Sequence, residues 1–236
     1  CKSMEMLSVP PRGIGNQSSI LTSLQSLLIW DCDNLMSFPD EGLPAPNLKS
    51  MRIGRCKKLK SLPARMESLL PSLQRLTLIR CPEIERFPEG GLPTSLRTLW
   101  ITSCKKLLTS PREWDLMRLP CLRSLSVHVM DEAIESFPNE DWLLPCTLED
   151  LKLFLSENIK TLNYSGLQHL TSLQSLVITE CSLLQWLPEE GLPASLTKLE
   201  IRGCPLLKPR LEWEKGRDWS KVAHIPCIIV DNELIP

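Results

Sequence analysis

One pattern, L-x-x-L-x-I-x-x-C-x-x-L-x-x-[LF]-P, recurs eight times along this chain and constrains its fold more than any other feature. The clearest copy places Leu24, Leu27, Ile29, Cys32, Leu35, Phe38 and Pro39, and the next places Leu48, Met51, Ile53, Cys56, Leu59, Leu62 and Pro63. A third runs Leu73, Leu76, Leu78, Cys81, Ile84, Phe87 and Pro88, and the fourth has Leu96, Leu99, Ile101, Cys104 and Leu107. Two middle copies are degraded: Leu122, Leu125 and Val127 lead to Met130 at the cysteine position, and Leu148, Leu151 and Leu153 lead to Ser156. The seventh restores Leu173, Leu176, Ile178, Cys181, Leu184, Leu187 and Pro188, and the eighth ends early at Leu196, Leu199, Ile201, Cys204 and Leu207. The two apolar residues around one x share a face of a short strand, because successive side chains alternate. A lone strand leaves that face in water, so the copies are predicted to stack into a parallel sheet.

Successive copies start 24, 25, 23, 26, 26, 25 and 23 residues apart, inside the leucine-rich-repeat range of about 20 to 29. The expected fold is therefore α/β: a leucine-rich-repeat horseshoe with a parallel concave sheet and an irregular, helix-poor convex side. The solenoid is expected to span 1–207, as a half repeat at 1–23 and eight repeats starting at 24, 48, 73, 96, 122, 148, 173 and 196. Residues 208–236 form the expected C-terminal cap, in which Ile225 and Ile228-Ile229-Val230 seal the last coil. The opening Cys1-Lys2-Ser3-Met4-Glu5-Met6-Leu7 matches the second half of a repeat, so the chain is expected to begin inside a longer solenoid. Leucine supplies 45 of the 236 residues and proline 20. Prolines this frequent break long helices, so the convex returns are expected to be turns and single helical turns. No apolar run approaches the roughly 18 to 20 residues of a membrane-spanning helix.

Seven of the ten cysteines, Cys1, Cys32, Cys56, Cys81, Cys104, Cys181 and Cys204, fall at one repeat position or match its context. A column of buried thiols under the turning backbone fits this spacing. Zinc or disulfides would call for C-x-x-C pairs or Cys and His clusters, which the chain lacks, so no metal site is expected. The column suits a reducing compartment, and a cytoplasmic location is expected. Cys121, Cys146 and Cys227 lie off it. Two glycosylation sequons, at Asn16 and Asn163, are short enough to arise by chance. The three histidines are scattered: His169 on a convex segment, His224 in the cap and His128 as a lone exposed strand position. No catalytic motif surrounds them, and no enzyme activity is expected.

With 27 basic and 28 acidic residues the net charge is −1, so recognition of nucleic acid by a broad field is excluded. Local charge differs. The positions flanking the strand leucines point to the concave face, and repeats two to four place Lys49, Arg52, Arg55, Arg75, Arg80 and Arg97 there with no acidic residue. Trp30, Ile79 and Trp100 stand beside them with no core to enter. Arginine and tryptophan are enriched at binding hot spots, and arginine forks suit carboxylates or phosphates. These nine residues are the candidate protein-binding site. Repeats six and eight supply Glu149, Asp150 and Glu200, which would polarise the face along its length.

The linkers Phe87-Pro88-Glu89-Gly90-Gly91-Leu92-Pro93 and Leu187-Pro188-Glu189-Glu190-Gly191-Leu192-Pro193, and the ending Gly216-Arg217-Asp218-Trp219-Ser220-Lys221-Val222-Ala223-His224-Ile225-Pro226, resemble intracellular plant immune receptors of the coiled-coil NLR type. The matching part is the carboxy-terminal region of their leucine-rich-repeat domain. The resemblance implies a domain that packs on its own nucleotide-binding module at rest and responds to a pathogen effector or a modified host protein. ATP or ADP would belong to that absent module, so no cofactor is expected in this chain. The alternative is the substrate-recruiting arm of an F-box ubiquitin ligase, which predicts a more helical convex side. A purely structural spacer is the third reading.

Overall fold

The computed structural model describes residues 21–128, 135–139, 141–155 and 157–235. Cys1, Met130, Ser156 and the sequon at Asn16 lie outside them. The chain packs as two compact units, Cys1–Leu122 and Arg123–Pro236.

In the first unit each motif copy yields one five-residue strand: β1 (Ser26–Trp30), β2 (Ser50–Gly54), β3 (Arg75–Ile79) and β4 (Thr98–Thr102). They pair in parallel and in sequence order, with Ile29 opposite Ile53, Ile53 opposite Leu78 and Leu78 opposite Ile101. Met51, Ile53, Leu76, Leu78, Leu99 and Ile101 are wholly buried on one side. Each such side chain contributes about 1.5–3 kcal/mol relative to exposure. A slip of one residue would turn that row to solvent, so the leucine pattern fixes the register. The returns hold a single turn of helix, α1 (Met66–Leu69), and 3₁₀ turns at Leu107–Thr109, Pro111–Trp114 and Leu116–Arg118. Trp114 is buried there, edge-on to Phe87 at 5.7 Å between ring centres, with its indole N–H donated to the Leu107 carbonyl.

The second unit continues the rule with β5 (Ser124–His128), β7 (Asp150–Phe154), β9 (Ser175–Thr179) and β10 (Lys198–Arg202), again parallel and in order. Between them β6 (Ser136–Phe137) and β8 (Thr161–Leu162) form a separate two-stranded ladder in the returns, with Phe137 wholly buried against Trp142. The sequon residue Asn163 caps the one-turn helix α2 (Tyr164–Leu167) by accepting the Ser165 N–H. After the last motif copy, a 3₁₀ turn at Lys208–Leu211 and the one-turn helix α3 (Trp219–Val222) lead to β11 (Cys227–Val230). β11 pairs parallel with β10, and β12 (Glu233–Ile235) folds back antiparallel on β11. Asp231 and Asn232, both at positive φ, make that two-residue turn. Leu211, Val222, Ile225, Ile228 and Val230 are buried.

The architecture is thus mostly parallel sheet with few, short helices. Among the described residues no helix is long and apolar enough to cross a membrane.

The six described column cysteines are buried. Cys32, Cys56, Cys81, Cys104 and Cys204 each donate S–H to the carbonyl two residues back, at 3.4–3.6 Å, and Cys181 donates to Ile159 at 3.2 Å. The Cys81 thiol is pushed up to about 12, first by its hydrogen bond with Cys104. Cys181 is also pushed up to about 12, by burial and then by Cys204.

Candidate recognition face

On the solvent side of the first sheet the register builds three rows. Ser26, Ser50, Arg75 and Thr98 form the first, Leu28, Arg52, Thr77 and Trp100 the second, and Trp30, Gly54, Ile79 and Thr102 the third. Five of the nine candidate residues, Trp30, Arg52, Arg75, Ile79 and Trp100, therefore share this face. Lys49 and Arg97 stand one residue before their strands, where their N–H groups bond Gln25 and Gln74 carbonyls. Arg55 and Arg80 stand one residue after, in left-handed backbone at φ 54° and 53°. Their N–H groups still extend the ladder, to the carbonyls of Ile79 and Thr102.

Two indoles are held in place. Trp30 lies against Gly54: a Cβ at that glycine would meet ring atoms at 2.2–2.6 Å, so only glycine lets the ring rest there. The Arg55 guanidinium stands 5.9 Å from the Trp30 ring centre, a cation–π distance, and is itself 3.7 Å from the Asp31 carboxylate. Trp100 keeps 38% of its surface in solvent, and its Nε1–H donates to Thr102 Oγ1 at 2.8 Å. Thr77 is sunk between its neighbours Arg52 and Trp100, at 8% exposure. Lys49, Arg52, Arg75, Arg80 and Arg97 are exposed, and no carboxylate among the described residues lies within ion-pair distance of them.

Leu28 and Asp31 belong to this site although charge-centred reading of copies two to four passes over them. Leu28 is 62% exposed, and its place between Leu27 and Ile29 already marks it as outward. Asp31 is equally legible, at the position one motif copy before Arg55 and in the same left-handed backbone.

The second unit presents a different face. Glu200 is 5% exposed and carries ion pairs with both Lys198, at 3.0 Å, and Arg202. Burial works against its charge, but the two cations outweigh it and hold the carboxyl below its usual range. Glu149 pairs with Arg123 at 3.2 Å. Of the three acidic residues read as polarising the face, two are thus locally neutralised. His128 is not a lone exposed histidine: it is half-buried with its ring 6.0 Å from Phe154, its partner in the strand register. Burial lowers its proton affinity. Among the described residues no group of His, Cys, Asp and Glu could hold a metal ion.

No protein-family model matches the chain. A protein of Arabidopsis thaliana named as a putative disease resistance protein is 42% identical over 198 residues, which is 84% of this chain and 14% of that protein. The chain carries a plant-resistance-protein-like domain. It spans about a seventh of the relative's length.

Proposed function

We propose that this domain is the carboxy-terminal leucine-rich-repeat part of a plant immune receptor of the coiled-coil NLR type, serving defence by recognising protein through the first unit's outward face. In this reading the same solenoid restrains the receptor at rest by packing on its nucleotide-binding module, works in the cytoplasm, and carries no catalytic group or cofactor of its own. The carrying observation is the face itself: six basic residues and two held indoles, with Asp31 as the sole ion-pair partner among the described residues. A spacer has no use for an exposed Trp100 on a face where Arg52, Arg75, Arg80 and Arg97 stand without counter-ions among the described residues. The relative's name supports the defence role. The one-turn helices of the returns, α1 and α2, four residues each, favour this reading over an F-box arm.

Charge reversal at Arg52, Arg55 and Arg80 in the full-length protein tests it. The expected outcome is a changed defence response, either lost on challenge or switched on at rest. Resting silence and challenge response both intact would contradict the reading.

A further inference from the structure

We infer that the first unit's face takes an extended acidic segment of a separate protein, laid diagonally across β1 to β4, with one apolar side chain at each indole and carboxylates between them. The inference rests on the recognition reading above and names the partner's chemistry. Three strand steps of about 4.8 Å and a two-residue offset along the strand put Trp30 and Trp100 roughly 16 Å apart, or nearer 12 Å because the Trp30 ring leans over Gly54. An extended chain covers that in about four or five residues. Gly54 and Thr77 lie under the path, and Arg52 and Arg75 flank it one row to the side.

Three observations favour such a segment. The floor along the diagonal is low, formed by Gly54 and the sunken Thr77, so a backbone can approach while longer side chains reach the flanking groups. Guanidinium forks pair with carboxylates in two parallel hydrogen bonds, and these have no such partner within the described chain. Both indoles are already fixed, Trp100 by Thr102 and Trp30 by Gly54 and Arg55, so little side-chain entropy is lost on binding. Preorganisation and electrostatic steering both matter most to a partner arriving from solution, because a tethered domain already has a high local concentration. Arginine and tryptophan would also suit single-stranded nucleic acid. A chain of net charge −1 lacks the extended basic track that such binding follows.

The test is fluorescence polarisation with the 236-residue chain. The probe is a labelled peptide in which about four glutamates separate a leucine from a phenylalanine. Controls are the peptide with glutamines for glutamates, the peptide with alanines for the two apolar residues, and a labelled oligothymidine. The acidic peptide is expected to bind at least about tenfold more tightly than either peptide control, and Arg52→Glu with Arg75→Glu to abolish the difference. Trp100→Ala is expected to weaken the acidic peptide without affecting the alanine control. Unchanged thermal unfolding of each variant shows that the fold survives. Equal binding of acidic and glutamine peptides, no binding of either, or preference for the oligonucleotide would overturn the inference. If the peptides fail while charge reversal still alters the full-length protein, the partner's chemistry is wrong and the recognition reading stands.

Discussion

At Arg80 the backbone sits at φ 53°, a left-handed conformation that costs an ordinary residue roughly 1–2 kcal/mol. Asp31, Arg55, Ser103 and Glu180 share it, and in the eighth copy the position is Gly203, at φ 62°. Arg80→Gly therefore removes the charge while relaxing the backbone. Allowing for glycine's larger unfolded-state entropy, the variant is expected to match the native chain or exceed it by up to about 1 kcal/mol in urea unfolding. A loss above that size would show that Arg80 holds the fold rather than serving its surface. The position's charge was legible in the sequence, but its conformation was not, because Asp, Arg, Ser, Glu and Gly share no local propensity. Only the tertiary ladder, in which the left-handed residue's N–H reaches the next strand, imposes that geometry.

The cap is built around Asp218, which is 1% exposed. Its carboxylate takes Arg210 Nε at 2.8 Å, Lys221 Nζ at 3.0 Å and the Leu187 N–H at 3.3 Å. Lys221 also donates to the Leu187 carbonyl at 3.1 Å, so the cap is tied to the seventh copy through both peptide groups of one leucine. Gly216 is needed because a Cβ there would lie 2.1 Å from the Arg210 carbonyl oxygen. Ile225, Ile228 and Val230 are buried, as their run in the sequence suggests, whereas Ile229 between them on the strand is only half-buried. The ionic latch was not readable there, since nothing in Asp218's neighbours announces burial, and the β11–β12 hairpin was missed although Asp231-Asn232 between apolar runs is a turn signal. Burial alone would raise the Asp218 carboxyl, but Arg210 and Lys221 prevail and hold it below its ordinary value of 3.8. Its stabilisation is thus present above that value and is lost as pH falls through the lower folded one. Asp218→Ala is expected to cost about 2–3 kcal/mol at pH 7, less than a sealed pair because Arg210 keeps 28% of its side chain in solvent. The gap to the native chain should narrow on acidification towards pH 3, as followed by urea unfolding. A gap independent of pH would exclude the latch.

Across the molecule the strand register, the buried leucine rows and the thiol column all follow from the motif, because a stack that buries one face of every strand leaves no choice of side. The thiol column makes a test of this packing. Native-state alkylation with peptide mapping is expected to modify Cys146, which is exposed, while Cys32, Cys56, Cys81, Cys104, Cys181 and Cys204 resist until the chain unfolds. Rapid labelling of any column cysteine would contradict their burial. The outward face is less legible: charges and tryptophans could be placed, whereas the support of Trp30 by Gly54 and the neutralising of Glu200 depend on side chains meeting across strands. The central claim, that the first unit's face recognises and the returns only support, is tested most directly by two matched charge reversals in the full-length protein. One changes Arg52, Arg75 and Arg97 to glutamate, and the other changes Lys57, Lys58 and Lys105, which are exposed in the returns. The first set alone is expected to alter the challenge response or resting silence; equal effects of both sets, or none from the first, would show that this face is not where recognition occurs.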